Sequence, residues 1–242
     1  MKAVPSEAWR NEVFSSPERI NVLKNGKSTT RHPVAVGWSG QITYANGGHE
    51  RIAQLILEQL WAEGLVRRWK AQPFNLKEIG GPDAVPDLLA ELESRALHVI
   101  QVKAKRFLTE EVTARFDLQR AFLEPKGFTF HIWTNADILS SQTSHTVNEL
   151  ERGRRYPASP EMIATIKAAA EKACTVGDLL AQFGWDDVLS AAAQLAFHFN
   201  ITQPIHESTP LLRHHSSSHY AHLFTRGSAT ANWWETLAPS KV

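Results

Sequence analysis

The stretch GPDAVPDLLAELESRALHVIQVKAKRF, Gly81 to Phe107, decides how this chain is read. It holds two apolar runs, VPDLLAEL and ALHVIQVK, separated by the polar ESR, which is the pattern of an antiparallel hairpin. With the hairpin centred near Ser94, positions whose numbers sum to about 188 face each other, which sets Asp87 across from Gln101. Side chains alternate along a strand, so Gln101 and Lys103 project from one face about 6.6 Å apart, while Ile100 and Val102 point into a core. Neighbouring strands lie about 4.8 Å apart, close enough for Asp87 and Gln101 to share one cation with Lys103 beside it. Asp83 has an equal claim by arithmetic, lying opposite Lys105, but it follows Gly80-Gly81-Pro82, a turn signature. Asp87 instead opens the buried run Leu88-Leu89-Ala90, where a carboxylate costs desolvation energy unless something pairs with it. Asp87 is therefore the candidate.

On the N-terminal side, residues 1–33 are polar and interrupted by Pro and Ser, the composition of a loosely ordered arm with one short helix. PVAVGWSGQITYA is extended by its β-branched and aromatic content. NGGHERIAQLILEQLWAEG carries Ile52, Leu55, Leu60 and Trp61 on a helical stripe that stops at Gly64. LVRRWKAQPFNLKEI is expected to be a strand closed by the Gly80-Gly81-Pro82 turn. Beyond the hairpin, Thr109 is the expected N-cap of a helix that ends before Gly127. FTFHIWT follows as a strand and SHTVNELERGRR as a short helix. The order predicts an α/β or α+β domain over 34–155. After RRYPASP the composition changes, and 156–242 is expected to hold three helices and a small β element, a winged-helix pattern with a weakly patterned tail.

The 242 residues suffice for one large domain or two small ones. The formal charge of +1 does not suggest a polybasic tail, so any nucleic-acid contact is expected to be local. It divides unevenly: the first 155 residues carry 21 basic against 18 acidic side chains, and the remainder 5 against 7. The basic excess points to the first part as the nucleic-acid surface, and an acidic, Ala/Leu-rich second part suits protein contact. One cysteine, Cys174, excludes a disulfide framework and fits a reducing cytoplasm. No stretch approaches a membrane span, and no membrane contact is expected.

Asp87 followed by Gln101-Val102-Lys103 resembles the PD-(D/E)XK, or restriction-endonuclease-like, nuclease superfamily. The Gln in place of the usual acid, with Gln72-Pro73 on the preceding strand, is similar to TnsA, the endonuclease subunit of heteromeric transposases. That family has a glutamate on a helix, a V-x-x-aromatic-x-x-Q-P strand, a Pro-Asp strand, a Q-V-K strand and a strand ending in Thr. Here these are matched by Val66 to Pro73, Pro86-Asp87, Gln101 to Lys103 and Thr134, so the resemblance covers about residues 34 to 135. It implies Glu50, with Glu58 as the alternative, as the helix carboxylate. It further implies a Mg²⁺ site (Mn²⁺ being possible) built from Glu50, Asp87, the Gln101 oxygen and the Val102 main-chain carbonyl, with Lys103 positioning water. The function implied is cleavage of the non-transferred strand at the 5′ ends of a transposon in a bacterial cytoplasm. The implied partners are double-stranded DNA, a DDE transposase (TnsB-like) and an AAA+ ATPase (TnsC-like). A stand-alone nuclease of phage defence or DNA processing, and a non-catalytic DNA-binding scaffold, are the alternatives.

Lys105 and Arg106, and Arg67 and Arg68 around Trp69, are candidate DNA-backbone contacts, with a solvated or aggregation-blocking strand edge as the ordinary alternative. Thr134 is expected to cap its strand and Gln72 to be structural. His214, His215, His219 and His222 lack an accompanying cysteine and are read as tail, while Trp233-Trp234 would either anchor a partner or pack back.

Overall fold

The computed structural model describes residues 5–17, 32–45, 47–138, 141–200, 203–212 and 223–224. The histidine-rich stretch up to His222 and Trp233-Trp234 lie outside the described residues. The hairpin at the centre of the sequence has the expected register. β4 (Leu88–Leu92) runs antiparallel to β5 (Leu97–Lys103), with Leu88 opposite Ile100 and Ala90 opposite His98. On the other side of β4 lies β3 (Val66–Ala71), also antiparallel. β6 (Phe128–Thr134) joins β5 in parallel. A parallel pair needs a crossover, and α3 (Glu110–Leu123) provides it, capped by the Thr109 hydroxyl and followed by Gly127 at φ +83°. The sheet order is β3-β4-β5-β6.

Every residue of β4 is buried because both sheet faces are covered. Leu88, Ala90 and Leu92 pack with Ile52, Leu55, Ile56 and Leu60 of α2 (Gly48–Ala62). Leu89 packs on the other face with Val99, Phe130 and α3's Phe116 and Leu123. The result is a mixed α+β architecture with helices on both faces of a four-stranded mixed sheet.

Three expectations about the N-terminal half need correction. The arm's expected short helix is present as α1 (Glu7–Ser15), but it is docked and not loose: it buries Trp9, Val13 and Phe14, and Trp9 meets Phe74 and Phe128 edge-on at 5.2 and 5.6 Å. The stretch at 33–45 is not one extended segment but a hairpin, β1 (His32–Val36) with β2 (Gln41–Ala45), forming a separate two-stranded sheet. The strand beginning at Val66 stops at Ala71, and Leu76–Ile79 is a 3₁₀ turn whose Leu76 and Ile79 still reach the core. Phe74, Leu76 and Ile79 therefore supply a strand-like apolar pattern from a non-strand backbone.

After β6 come α4 (Asn135–Ile138) and α5 (Ser141–Arg155), the latter longer than expected. α6 (Pro160–Ala170), α7 (Val176–Leu180) and α8 (Trp185–Ala193) are the three expected helices. β7 (His198–Phe199) and β8 (Leu211–Leu212) are the small β element. The change in composition near Arg155 does not coincide with a break in the core. One apolar cluster runs from Val34 through α2 and α5 into α6, α8 and Phe199. Gly153 allows the close packing of α5 on α8, since a Cβ there would lie 2.5 Å from the Leu189 carbonyl oxygen. Among the described residues no helix is long and apolar enough to cross a membrane.

Candidate active site

The site begins where β3 ends. Gln72 takes φ +43°, a left-handed conformation that is strained for a residue with a side chain, and Pro73 then turns the chain away. Before it leaves, the Gln72 N–H donates to the Asp87 carbonyl at 2.8 Å, extending the β3–β4 ladder by one pair. The Gln-Pro element thus acts through its main chain, which fixes the backbone from which the Asp87 side chain departs.

The Asp87 carboxylate crosses to β5, where its Oδ2 accepts the Val102 N–H at 2.7 Å. The residue as a whole is half-buried, but its carboxyl group is enclosed by protein. Burial pushes its pKa up to about 6, against the pull of the Val102 N–H and the nearby Lys103 ammonium. Continuing the register past Leu88 and Ile100 puts Asp87 beside Gln101, and alternation sends Asp87, Gln101 and Lys103 to the α3 face. Gln101 is only 7% exposed, and its Nε2 donates to Oε1 of Gln119 on α3 at 3.0 Å. Lys103 is half-buried and adjoins Thr134 on β6. Thr134 acts as a cap: both its N–H and its hydroxyl bond to Asp137 Oδ2, at 2.9 and 2.7 Å.

Glu50 lies buried in the first turn of α2. α2 covers the opposite sheet face, against Leu88, Ala90 and Ile100. Fifteen helical residues rise about 22 Å, and six strand residues span about 20 Å. The tight turn at Gly64 sends β3 back along the helix, so the start of α2 arrives at the strand end carrying Gln72, Asp87 and Gln101. Glu50 thus lies toward that end of the sheet, on the face opposite to the one that the Asp87, Gln101 and Lys103 side chains take. An acidic first-turn residue is also favoured by the helix dipole alone. Glu58, two turns on, is committed elsewhere: its two oxygens accept the Gly37 N–H at 2.8 Å and the Trp69 indole N–H at 3.0 Å. Burial raises its pKa.

The basic candidates separate. Lys105 and Arg106 are exposed on a 3₁₀ turn just past β5, held by a bond from the Lys105 N–H to Asn135 Oδ1 at 2.8 Å. Arg106 stacks over Phe107, which is 52% exposed. Arg67 is exposed, but Arg68 turns inward because the ladder slips between Val66 and Arg68. Arg68 bonds Glu91 at 2.6 Å and lies 4.3 Å over the Phe14 ring. Glu91, 0% exposed, also receives Arg10 at 2.8 Å and Arg95 at 3.1 Å. Arg68 is thus part of the cluster that pins α1 to the sheet, a role its spacing did not suggest. Asp83 sits in the exposed turn, bonded to Asn75 at 2.7 Å.

Sequence reading missed Gln119, which looks like a polar surface position on a weakly amphipathic helix. It also missed the buried pair His98 and His131, whose ring nitrogens lie 2.8 Å apart on adjacent strands. Only their place on alternating, otherwise apolar strands marked them. Concavities of about 450 and 520 Å³ lie elsewhere, one at Glu58 and Trp61 and the other at α6 and α7.

Among the described residues no three His, Cys, Asp or Glu side chains converge as a metal cluster. The expected donors have a different make-up, two carboxylates with a carboxamide and a main-chain carbonyl. All are hard oxygen donors of the type that suits Mg²⁺ or Mn²⁺. The Val102 N–H takes Asp87 Oδ2, which leaves Oδ1 for a cation, and Gln119 takes the nitrogen end of Gln101, which leaves its oxygen. These residues fit the group. No protein-family model matches the chain and no curated protein matches it.

Proposed function

We propose that the chain is a Mg²⁺-dependent endonuclease with a restriction-endonuclease-like core and a winged-helix-like C-terminal part. In this reading it is a TnsA-like subunit that cuts the non-transferred strand at the 5′ ends of a transposon. The observation that carries the reading is the meeting of Asp87, Gln101 and Lys103 at one strand end, with Asp87 bonded to the Val102 N–H. The order helix, strand leading into Gln-Pro, strand entered from Pro-Asp, Q-V-K strand and Thr-ended strand, with the four strands adjacent in the sheet, supports it further.

Glu50, Asp87, the Gln101 oxygen and the Val102 carbonyl would hold Mg²⁺ or Mn²⁺, whose chemistry when bound is Lewis-acid stabilisation of charge on phosphate and leaving oxygens. Asp87 supplies the enclosed anionic donor, and Gln101 a neutral one, which keeps the site's negative charge low. Lys103 positions the attacking water and offsets charge developing on the phosphate. Lys105 and Arg106 would neutralise backbone phosphates beside the cleavage point, and Arg67, at the opposite end of β3, phosphates further along the duplex. A DDE transposase and an AAA+ ATPase would place the site on DNA, consistent with the small net charge of the chain.

The test is nicking of a duplex carrying a transposon end, with Mg²⁺ or Mn²⁺ and the two partner proteins. Metal-dependent cutting that disappears in Asp87→Ala and Lys103→Ala is the expected result. Normal cutting by both variants would show that the site is elsewhere. DNA binding without metal-dependent cutting would favour the scaffold reading, and cutting without partners the stand-alone nuclease.

A further inference from the structure

A carboxamide differs from the acid it replaces in having two unlike ends. Either oxygen of a carboxylate can meet a cation, but a carboxamide turned by 180° presents N–H groups and repels it. Gln101 therefore meets a requirement that an acid at the same position would not: something must set which end faces the site. The structure supplies one candidate for that task. Gln119 projects from α3 toward β5, is 6% exposed, and accepts the Gln101 Nε2–H through its own Oε1 at 3.0 Å. With the nitrogen held on the α3 side, the Gln101 oxygen is the end left for the Asp87 side.

We infer that Gln119 is a positioning residue that orients the Gln101 carboxamide so that its oxygen serves as a ligand for a divalent cation. The inference rests on the metal-site reading above and deepens it. Gln119 is fixed for this purpose by its surroundings. Phe116 and Leu123, on the same stretch of α3, are buried against Val99 and Phe130 of the sheet, so the helix cannot slide without breaking the core. A partner that orients a ligand is worth about 10- to 100-fold in metal affinity at comparable sites.

The experiment measures Mn²⁺ binding by the full chain, by titration calorimetry and by the paramagnetic signal of free Mn²⁺. Four proteins are compared: the unaltered chain, Gln119→Met, Gln101→Glu and the double variant. Methionine matches glutamine in length and removes the acceptor. Gln119→Met is expected to weaken Mn²⁺ binding about tenfold when residue 101 is Gln. With Gln101→Glu, whose carboxylate needs no orienting, the same change is expected to cost less than about twofold. Equal losses in both backgrounds would make Gln119 a packing residue and overturn the inference, as would no loss at all. If Gln119→Met does not fold, Gln119→Ala is read in the same cycle. Asp87→Ala separates the two levels: if it leaves Mn²⁺ affinity unchanged, the metal site itself is misplaced and the inference falls with it. If Asp87→Ala abolishes binding while the Gln119 cycle shows no coupling, only the role of Gln119 is lost.

Discussion

Asp87→Asn should make the cation-free protein more stable at neutral pH. Burial raises the folded pKa of Asp87 from the ordinary 3.8 to about 6. Between these values the folded chain holds a proton that the unfolded chain has released, so stability falls as pH rises through that window and stays low above it. The whole interval corresponds to about 3 kcal/mol. Asparagine keeps an oxygen for the Val102 N–H and removes the ionisation, so the local fold is preserved. It also removes a partner of Lys103, which trims the gain to about 1–3 kcal/mol. The assay is urea unfolding in a chelator at pH 8 and at pH 4.5. The variant should exceed the unaltered chain at pH 8, the gap should shrink to about a third at pH 4.5, and it should close only below the unfolded value of 3.8. Adding Mn²⁺ should raise the stability of the unaltered chain alone. A variant equally or less stable at pH 8, with a difference independent of pH, would mean that the carboxylate is already well stabilised by its neighbours and needs no cation.

The two adjacent arginines on β3 should behave oppositely. Arg67→Ala should leave unfolding within about 0.5 kcal/mol and lower the salt dependence of duplex binding by about one phosphate contact. Arg68→Ala should cost about 1–3 kcal/mol, since Glu91 loses one charged partner and keeps Arg10 and Arg95, and a thermally unchanged Arg68→Ala would refute that assignment. Burial and the neighbouring His131 hold His98 well below the ordinary histidine value, so its contribution is intact above about pH 6.5 and declines as pH falls below it. Buried carboxylates with raised values (Asp87, Glu58 and Glu63) act in the opposite sense, so the quantity to read is the difference between the unaltered chain and His98→Gln, which should move in the variant's favour from pH 7 to pH 5. A difference that does not change with pH would refute the role of His98.

Much of the sheet was legible because its signals are local. The register of β4 and β5 followed from a short polar turn between two apolar runs, and that register alone placed Asp87 beside Gln101. The limits of α3 followed from Thr109 and Gly127. What was not legible depends on contacts distant in sequence. Trp9, Val13 and Phe14 make too short a stripe to announce that α1 docks, and only Phe74 and Phe128 give Trp9 its place. The inward turn of Arg68 follows from a ladder slip that leaves no mark in the residue types. Gln119 shows its importance only when α3 is laid over β5, since a glutamine on a helix is ordinarily a solvated residue.

The glutamine at 101 also bears on why one carboxylate here can be so deeply enclosed. Burial already lifts the Asp87 carboxyl to about 6 with a lysine and a backbone N–H in attendance. An acid at 101, directly across the ladder, would add a like charge and push the pair higher still, so that one member would hold a proton near neutral pH. A carboxamide leaves Asp87 ionised at neutral pH, at the expense of a weaker hold on any cation and a need to be held the right way round. Replacing an acid with glutamine thus shifts the requirement from compensating charge to fixing geometry. In this reading, that is why a buried glutamine on α3, one layer away, takes part in orienting a donor on β5.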